Sequence, residues 1–92
     1  MSSAIIRITY NDIDYTESLT CPITRNVFMD PVMASDGWTY ERNALEELLA
    51  MASPVSPKTG EILQTDVMIP NLSIQSFLSG CRVYRAECVE IG

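Results

Sequence analysis

The sequence contains no histidine and only three cysteines, Cys21, Cys81 and Cys88, with no Cys-x-x-Cys pair among them. Structural zinc needs four Cys or His donors at short spacings, and a disulfide framework needs an even set, so the sequence argues against both as organising devices. The lack of histidine also leaves Cys21 without a base to make it a nucleophile. Reduced, buried thiols are the expectation, with Cys81 on the apolar stripe of a late helix, while Cys88 supports no reading. Cations are scarce as well: six Lys and Arg against twelve Asp and Glu give a formal charge of -6. No clustered basic stripe is present, which argues against a nucleic-acid partner and against an anionic membrane surface. No apolar run is long enough to cross a bilayer, and the opening "MSSAIIRITY" alternates with polar residues unlike a secretion signal. A soluble, unexported protein of a reducing compartment, the cytoplasm, is expected.

What is present fits one small domain. At 92 residues the chain can build a single core, near the size where metal, disulfides or partners often assist. Residues 5–15, "IIRITYNDIDY", place Ile6, Ile8 and Tyr10 at period two, then Asn11-Asp12 as a turn, then Ile13 and Tyr15. That pattern reads as a hairpin or as an extended arm. Pro22 and Pro31 bracket a first loop. Val32-Met33, Asp36-Gly37 and Trp38-Tyr40 read as two short strands around a tight turn, with Trp38 as a buried packing residue of that hairpin. Thr39 is then the expected N-cap of a helix over "YERNALEELLAMA", where Leu45, Leu48, Leu49 and Ala52 form the apolar stripe.

A second loop, "SPVSPKTGEIL", follows, and Ile62-Leu63 and Val67-Met68-Ile69 are expected as short buried segments. Asn71 caps a second helix whose stripe is Ile74, Phe77, Leu78 and Cys81, and the tail after Gly80 is expected to extend that helix or fray. Glu41, Glu46 and Glu47 read as a solvated helix face able to steer a basic partner. No internal repeat is evident. The expected class is α+β: two loops around a small hairpin and a central helix, plus a C-terminal helix.

The segments "CPIT", "DPVMASDGWTYER", "SPKTGEIL" and "IPN", in this order and spacing, resemble a U-box domain. The resemblance covers residues 17–80, leaving 1–16 as an extension or linker and 81–92 as a helical extension or tail. It implies a zinc-free relative of the RING fold, without cofactor, in which hydrogen bonds, salt bridges and packing hold the loops. Ser35, Asp36, Thr39, Tyr40, Glu41, Arg42 and Asn71 are concentrated beside the loops and suit such a network. The resemblance further implies a ubiquitin ligase with no catalytic residue of its own, which docks a ubiquitin-charged conjugating enzyme near a substrate lysine. Carried over by position, the docking residues are Ile23, Leu48 and Pro57, with Arg25 and Val55 at the rim.

Two departures bear on that expectation. Gly60 stands where many active relatives carry a cationic or amide side chain that bridges ubiquitin and the conjugating enzyme. Arg25 stands where an apolar residue is frequent, which bears on the choice of conjugating enzyme. The alternative reading is a U-box that binds a substrate or scaffold without promoting transfer. The stripe of Ile74, Phe77 and Leu78 reads as core, or in part as a homodimer contact. Ubiquitin transfer belongs to the cytoplasm, or to a host cytoplasm if the protein is a translocated bacterial effector, and the substrate is not legible.

Overall fold

Pairs of apolar residues at period two, joined by Asn11-Asp12, decide the first element. In a computed structural model describing residues 3–88, strand β1 (Ser3–Tyr10) turns into β2 (Ile13–Asp14), with Tyr10 opposite Ile13. Both turn residues have positive φ, 51° at Asn11 and 64° at Asp12, the left-handed pair that a two-residue hairpin with native twist requires. Asn and Asp tolerate that region better than other side-chain-bearing residues. Asp14 then accepts from the backbone N–H and hydroxyl of Thr16, whose Oγ1 accepts from the Ile8 N–H at 3.0 Å. The hairpin is thereby tied back onto β1, which resolves the alternative of a free arm.

The stretch after Gly80 is a strand, β6 (Arg82–Cys88), and not a continuation of the preceding helix. It pairs antiparallel along β1 from Thr9 opposite Arg82 to Ser3 opposite Cys88, giving the sheet order β2-β1-β6. The physical reason lies in its neighbours. Gly80 stops the helix, Val83 and Tyr84 favour extended backbone, and the open edge of β1 supplies hydrogen-bond partners. Residues 1–2 and 89–92, parts of the expected extension and tail, lie outside the described residues.

A second sheet has order β4-β3-β5, built from β3 (Pro31–Met33), β4 (Thr39–Glu41) and β5 (Ile69–Pro70). Its hairpin closes through Gly37, at φ 82°, and the Ala34 N–H donates to the Trp38 carbonyl at 3.0 Å. Helix α1 (Arg42–Leu49) follows directly and is shorter than the apolar stripe suggests. Thr39 belongs to β4 and does not cap it, and Ala52 is exposed beyond its end. Helix α2 (Leu72–Ser79) starts on Asn71, whose side chain accepts from the Ile74 N–H at 3.1 Å.

Burial divides into two clusters bridged by α2. Cys21, Phe28, Val32, Ala34, Tyr40, Leu45 and Leu63 form one; Ile8, Leu19 and Val27 form the other. Ile74 and Leu78 pack against both. Phe77 leaves the core stripe and is held between Tyr10 and Tyr15, with ring centroids 5.3 and 5.1 Å away. Cys81 is half-buried beside the second cluster. Ile62 and Ile69, expected inside, are exposed, because each sits at a sheet or bridge edge with one face open.

Candidate functional site

The two loops share one backbone design. In the first, Cys21 donates its N–H to the Asn26 carbonyl at 2.9 Å and its carbonyl accepts from the Arg25 N–H at 2.8 Å. In the second, Ser56 donates to the Glu61 carbonyl at 2.7 Å and accepts from the Gly60 N–H at 3.0 Å. The i, i+4, i+5 pattern is the same, and so is the left-handed fourth step, φ 61° at Arg25 and 79° at Gly60. Cys-Pro-Ile-Thr-Arg and Ser-Pro-Lys-Thr-Gly are therefore two copies of one turn. Their first residues, Cys21 and Ser56, are both buried.

Each buried anchor is held by hydrogen bonds. The Cys21 Sγ accepts from the Glu41 N–H at 3.2 Å. The Ser56 hydroxyl accepts from the Lys58 and Thr59 N–H groups at 3.1 and 3.0 Å and donates to Asp36 Oδ2 at 2.6 Å. Asp36 is the hub of the second loop, since its carboxylate also accepts from the Tyr40 hydroxyl at 2.6 Å and the Trp38 N–H at 2.8 Å. Burial alone would raise the Asp36 pKa, but the hydrogen bonds from Ser56, Tyr40 and the Trp38 backbone outweigh it and hold the carboxyl below the usual 3.8. Burial, reinforced by the bond to Asp36, pushes the Tyr40 hydroxyl up to about 12.

The remaining polar residues expected beside the loops also have partners. Glu41 accepts from the Met29 and Asp30 N–H groups, at 2.9 Å and 3.1–3.2 Å. Arg42 Nε donates to Asp30 Oδ2 at 2.6 Å, which stabilises the guanidinium charge, and a second nitrogen meets Met68 Sδ at 3.6 Å. The Gln64 N–H donates to Ser35 Oγ at 2.9 Å, and Asn71 Nδ2 donates to Thr39 Oγ1 at 2.9 Å. No buried side-chain N or O atom among the described residues lacks a partner. Among those residues no group of three His, Cys, Asp or Glu side chains is placed to hold a metal ion, and no helix is long and apolar enough to cross a membrane. Two members escaped the sequence reading: Ser56, the donor at the hub, and Asp30, the partner of Arg42. The repeated turn pattern was the signal for Ser56; Asp30 opens the segment DPVMASDGWTYER, but no spacing there reports its pairing with Arg42.

Rigid backbone leaves apolar side chains outside. Ile23 is 40% exposed, Val55 is 44% exposed, and Pro57, two residues after Val55, is exposed as well. Leu48 is half-buried and packs against the first cluster from α1. A cleft of about 540 Å³ lies between the loops and brings Arg25 and Pro57 together with Pro22, Trp38 and Lys58; Ile23, Leu48 and Val55 do not line it. Trp38, expected as a buried packing residue, is 48% exposed, with the Lys58 ammonium 4.6 Å from its ring centroid. The correction has a clear cause. Asp36 binds the Trp38 N–H into the turn ahead of β4, so Trp38 stands outside the strand whose inward position Tyr40 takes, and its indole is left exposed.

Comparisons with known proteins bear on what this arrangement serves. The model of the U-box domain matches residues 16–80. The WD repeat, SAM and U-box domain-containing protein 1 of Danio rerio is 41% identical over 59 residues, covering 64% of this chain and 12% of that protein. Its Homo sapiens counterpart is 39% identical over the same length, with the same coverage. U-box domain-containing protein 12 of Arabidopsis thaliana is 38% identical over 63 residues, covering 68% of this chain and 10% of its own length. The chain thus spans about a tenth of the length of these relatives.

Proposed function

Because the chain belongs to the U-box family, whose members are generally ubiquitin ligase modules, we propose that it docks a ubiquitin-charged conjugating enzyme and promotes transfer to a substrate lysine. The observation that carries this reading is the pairing of fixed backbone with exposed apolar tips. Both loops are closed by their own hydrogen bonds, so Ile23 and Pro57 are offered to a partner with little ordering left to do on binding. Leu48, on the neighbouring helix, supplies the third apolar contact, and Val55 and Arg25 form the rim. An interface resting on a few such contacts is weak, which suits a partner that must leave to be recharged. Cys21 is poorly suited to act as a nucleophile in such a transfer: it is fully buried and its sulfur is already engaged by the Glu41 N–H.

The test is discharge of thioester-linked ubiquitin to free lysine across a panel of conjugating enzymes, with wild type and Ile23→Ala side by side. Acceleration by wild type alone is the expected result. A second reading rests on Gly60, which has open space around it and no side chain to bridge the two partners. On that reading the domain binds a substrate or scaffold without promoting transfer. Binding of conjugating enzymes by wild type with no acceleration of discharge in any case would favour it.

A further inference from the structure

The cleft between the loops carries charge of the opposite sign to the molecule. The formal charge of the chain is -6, yet the cleft is lined by two cations, Arg25 and Lys58, against one carboxylate, Glu17. Lys58 is the only lysine in the sequence. Its backbone N–H is fixed by Ser56 and its ammonium lies over Trp38, within the range where a ring face attracts a cation. An exposed indole used this way contributes to placing a charge.

Arg25 gives a second, independent observation. The fourth step of each loop is left-handed, a region that a glycine enters freely and an arginine does not. The second loop uses Gly60 there and the first uses Arg25, so the first loop retains a strained residue where its twin shows that glycine fits. Non-glycine strain of this kind gathers at functional positions.

We propose that this cleft receives an acidic segment of the docked conjugating enzyme, whose carboxylates pair with Arg25 and Lys58 while Trp38 holds the ammonium in position. The inference rests on the docking function above and specifies which partners are accepted. The occupant follows from continuity and charge: Pro57 and Arg25 belong both to the docking residues and to this cleft, so an enzyme seated on Ile23 and Pro57 overlies it. Conjugating enzymes with a carboxylate beside the docking loop are selected over those with a neutral or basic residue there.

The experiment measures the affinity of the whole chain for a panel of conjugating enzymes, with Pro57→Ala as the docking control. Lys58→Glu weakens binding at least tenfold to the preferred enzymes, Lys58→Arg retains it, and added salt erodes wild-type affinity more than that of Lys58→Glu. Arg25→Gly weakens binding while thermal unfolding stays level or rises, because strain is relieved. Replacing the enzyme's acidic residue with lysine restores binding to Lys58→Glu. Reductive ¹³C-methylation labels Lys58 alone besides the N-terminal amine, and its signal, shifted by the indole ring, moves on binding. If Pro57→Ala abolishes docking while Lys58→Glu and Arg25→Gly bind as wild type, the cleft is not a reader and the docking function stands. If wild type binds no enzyme in the panel, the docking function itself is wrong and this inference falls with it.

Discussion

Asp36 accepts three hydrogen bonds that join the turn of the β3–β4 hairpin, the first cluster and the second loop. Replacing it with alanine leaves the Tyr40 and Ser56 hydroxyls without an acceptor, which should cost roughly 1–3 kcal/mol in a denaturant melt. The same group predicts a pH response. Its folded pKa lies below 3.8, so the stability it contributes is fully present above that value and is lost as the pH falls through the folded value. The stability of wild type should therefore decline on acidification below about pH 4 more steeply than that of Asp36→Asn. A parallel decline in the two proteins would remove Asp36 from the account. Asp36 and Tyr40 stand out in the sequence as polar residues near a turn, but the bond from Ser56 to Asp36 spans twenty positions, and no local pattern reports a contact of that range. What could have been read is the repeat, Cys-Pro-x-Thr and Ser-Pro-x-Thr, which places Ser56 and Cys21 at equivalent buried positions.

At the scale of elements, α2 holds the molecule together because it touches both clusters and is capped by a residue that also reaches β4. Asn71 accepts from the Ile74 N–H and donates to Thr39 Oγ1. Asn71→Ala removes both bonds at once, and a loss of about 1–2 kcal/mol, the range of a lost cap, is expected from chemical unfolding. Asn71→Ser should restore part of it, since a shorter cap still satisfies the helix but falls short of Thr39. Capping chemistry is local, which is why Asn71 was legible from a Pro-Asn step followed by an apolar stripe. Strand β6 was not legible for the opposite reason. Its seven residues carry a mixed pattern, and their choice between helix and strand is made by the edge of β1, more than seventy positions earlier. The length of α1 failed similarly: Leu45, Leu48 and Leu49 do face the core, but Ala52 continues the period without anything to pack against.

Taken as a whole, the molecule separates what keeps it folded from what it offers to partners, and that separation can be measured. Ile8 is fully buried with Leu19 and Val27 against Ile74 and Leu78 of α2, so Ile8→Ala should cost about 2–4 kcal/mol through lost transfer energy and an unfilled cavity. Ile23 and Pro57 sit at the outer ends of loops whose hydrogen bonds are made by Cys21, Arg25, Asn26, Ser56, Gly60 and Glu61. Truncating either tip deletes little buried surface and no backbone bond, and should shift thermal unfolding by no more than the roughly 0.5 kcal/mol of an ordinary surface substitution. Docking should respond in reverse. Ile23→Ala and Pro57→Ala should abolish binding of a conjugating enzyme, while Ile8→Ala, assayed well below its lowered melting temperature, should bind as wild type. If instead affinity tracks stability across all three variants, the loops are not a preformed surface and the apolar tips serve the fold. The contrast is available only because closure of the loops is accomplished by main-chain and buried polar groups, so a single exposed side chain can be removed without opening the loop that presents it.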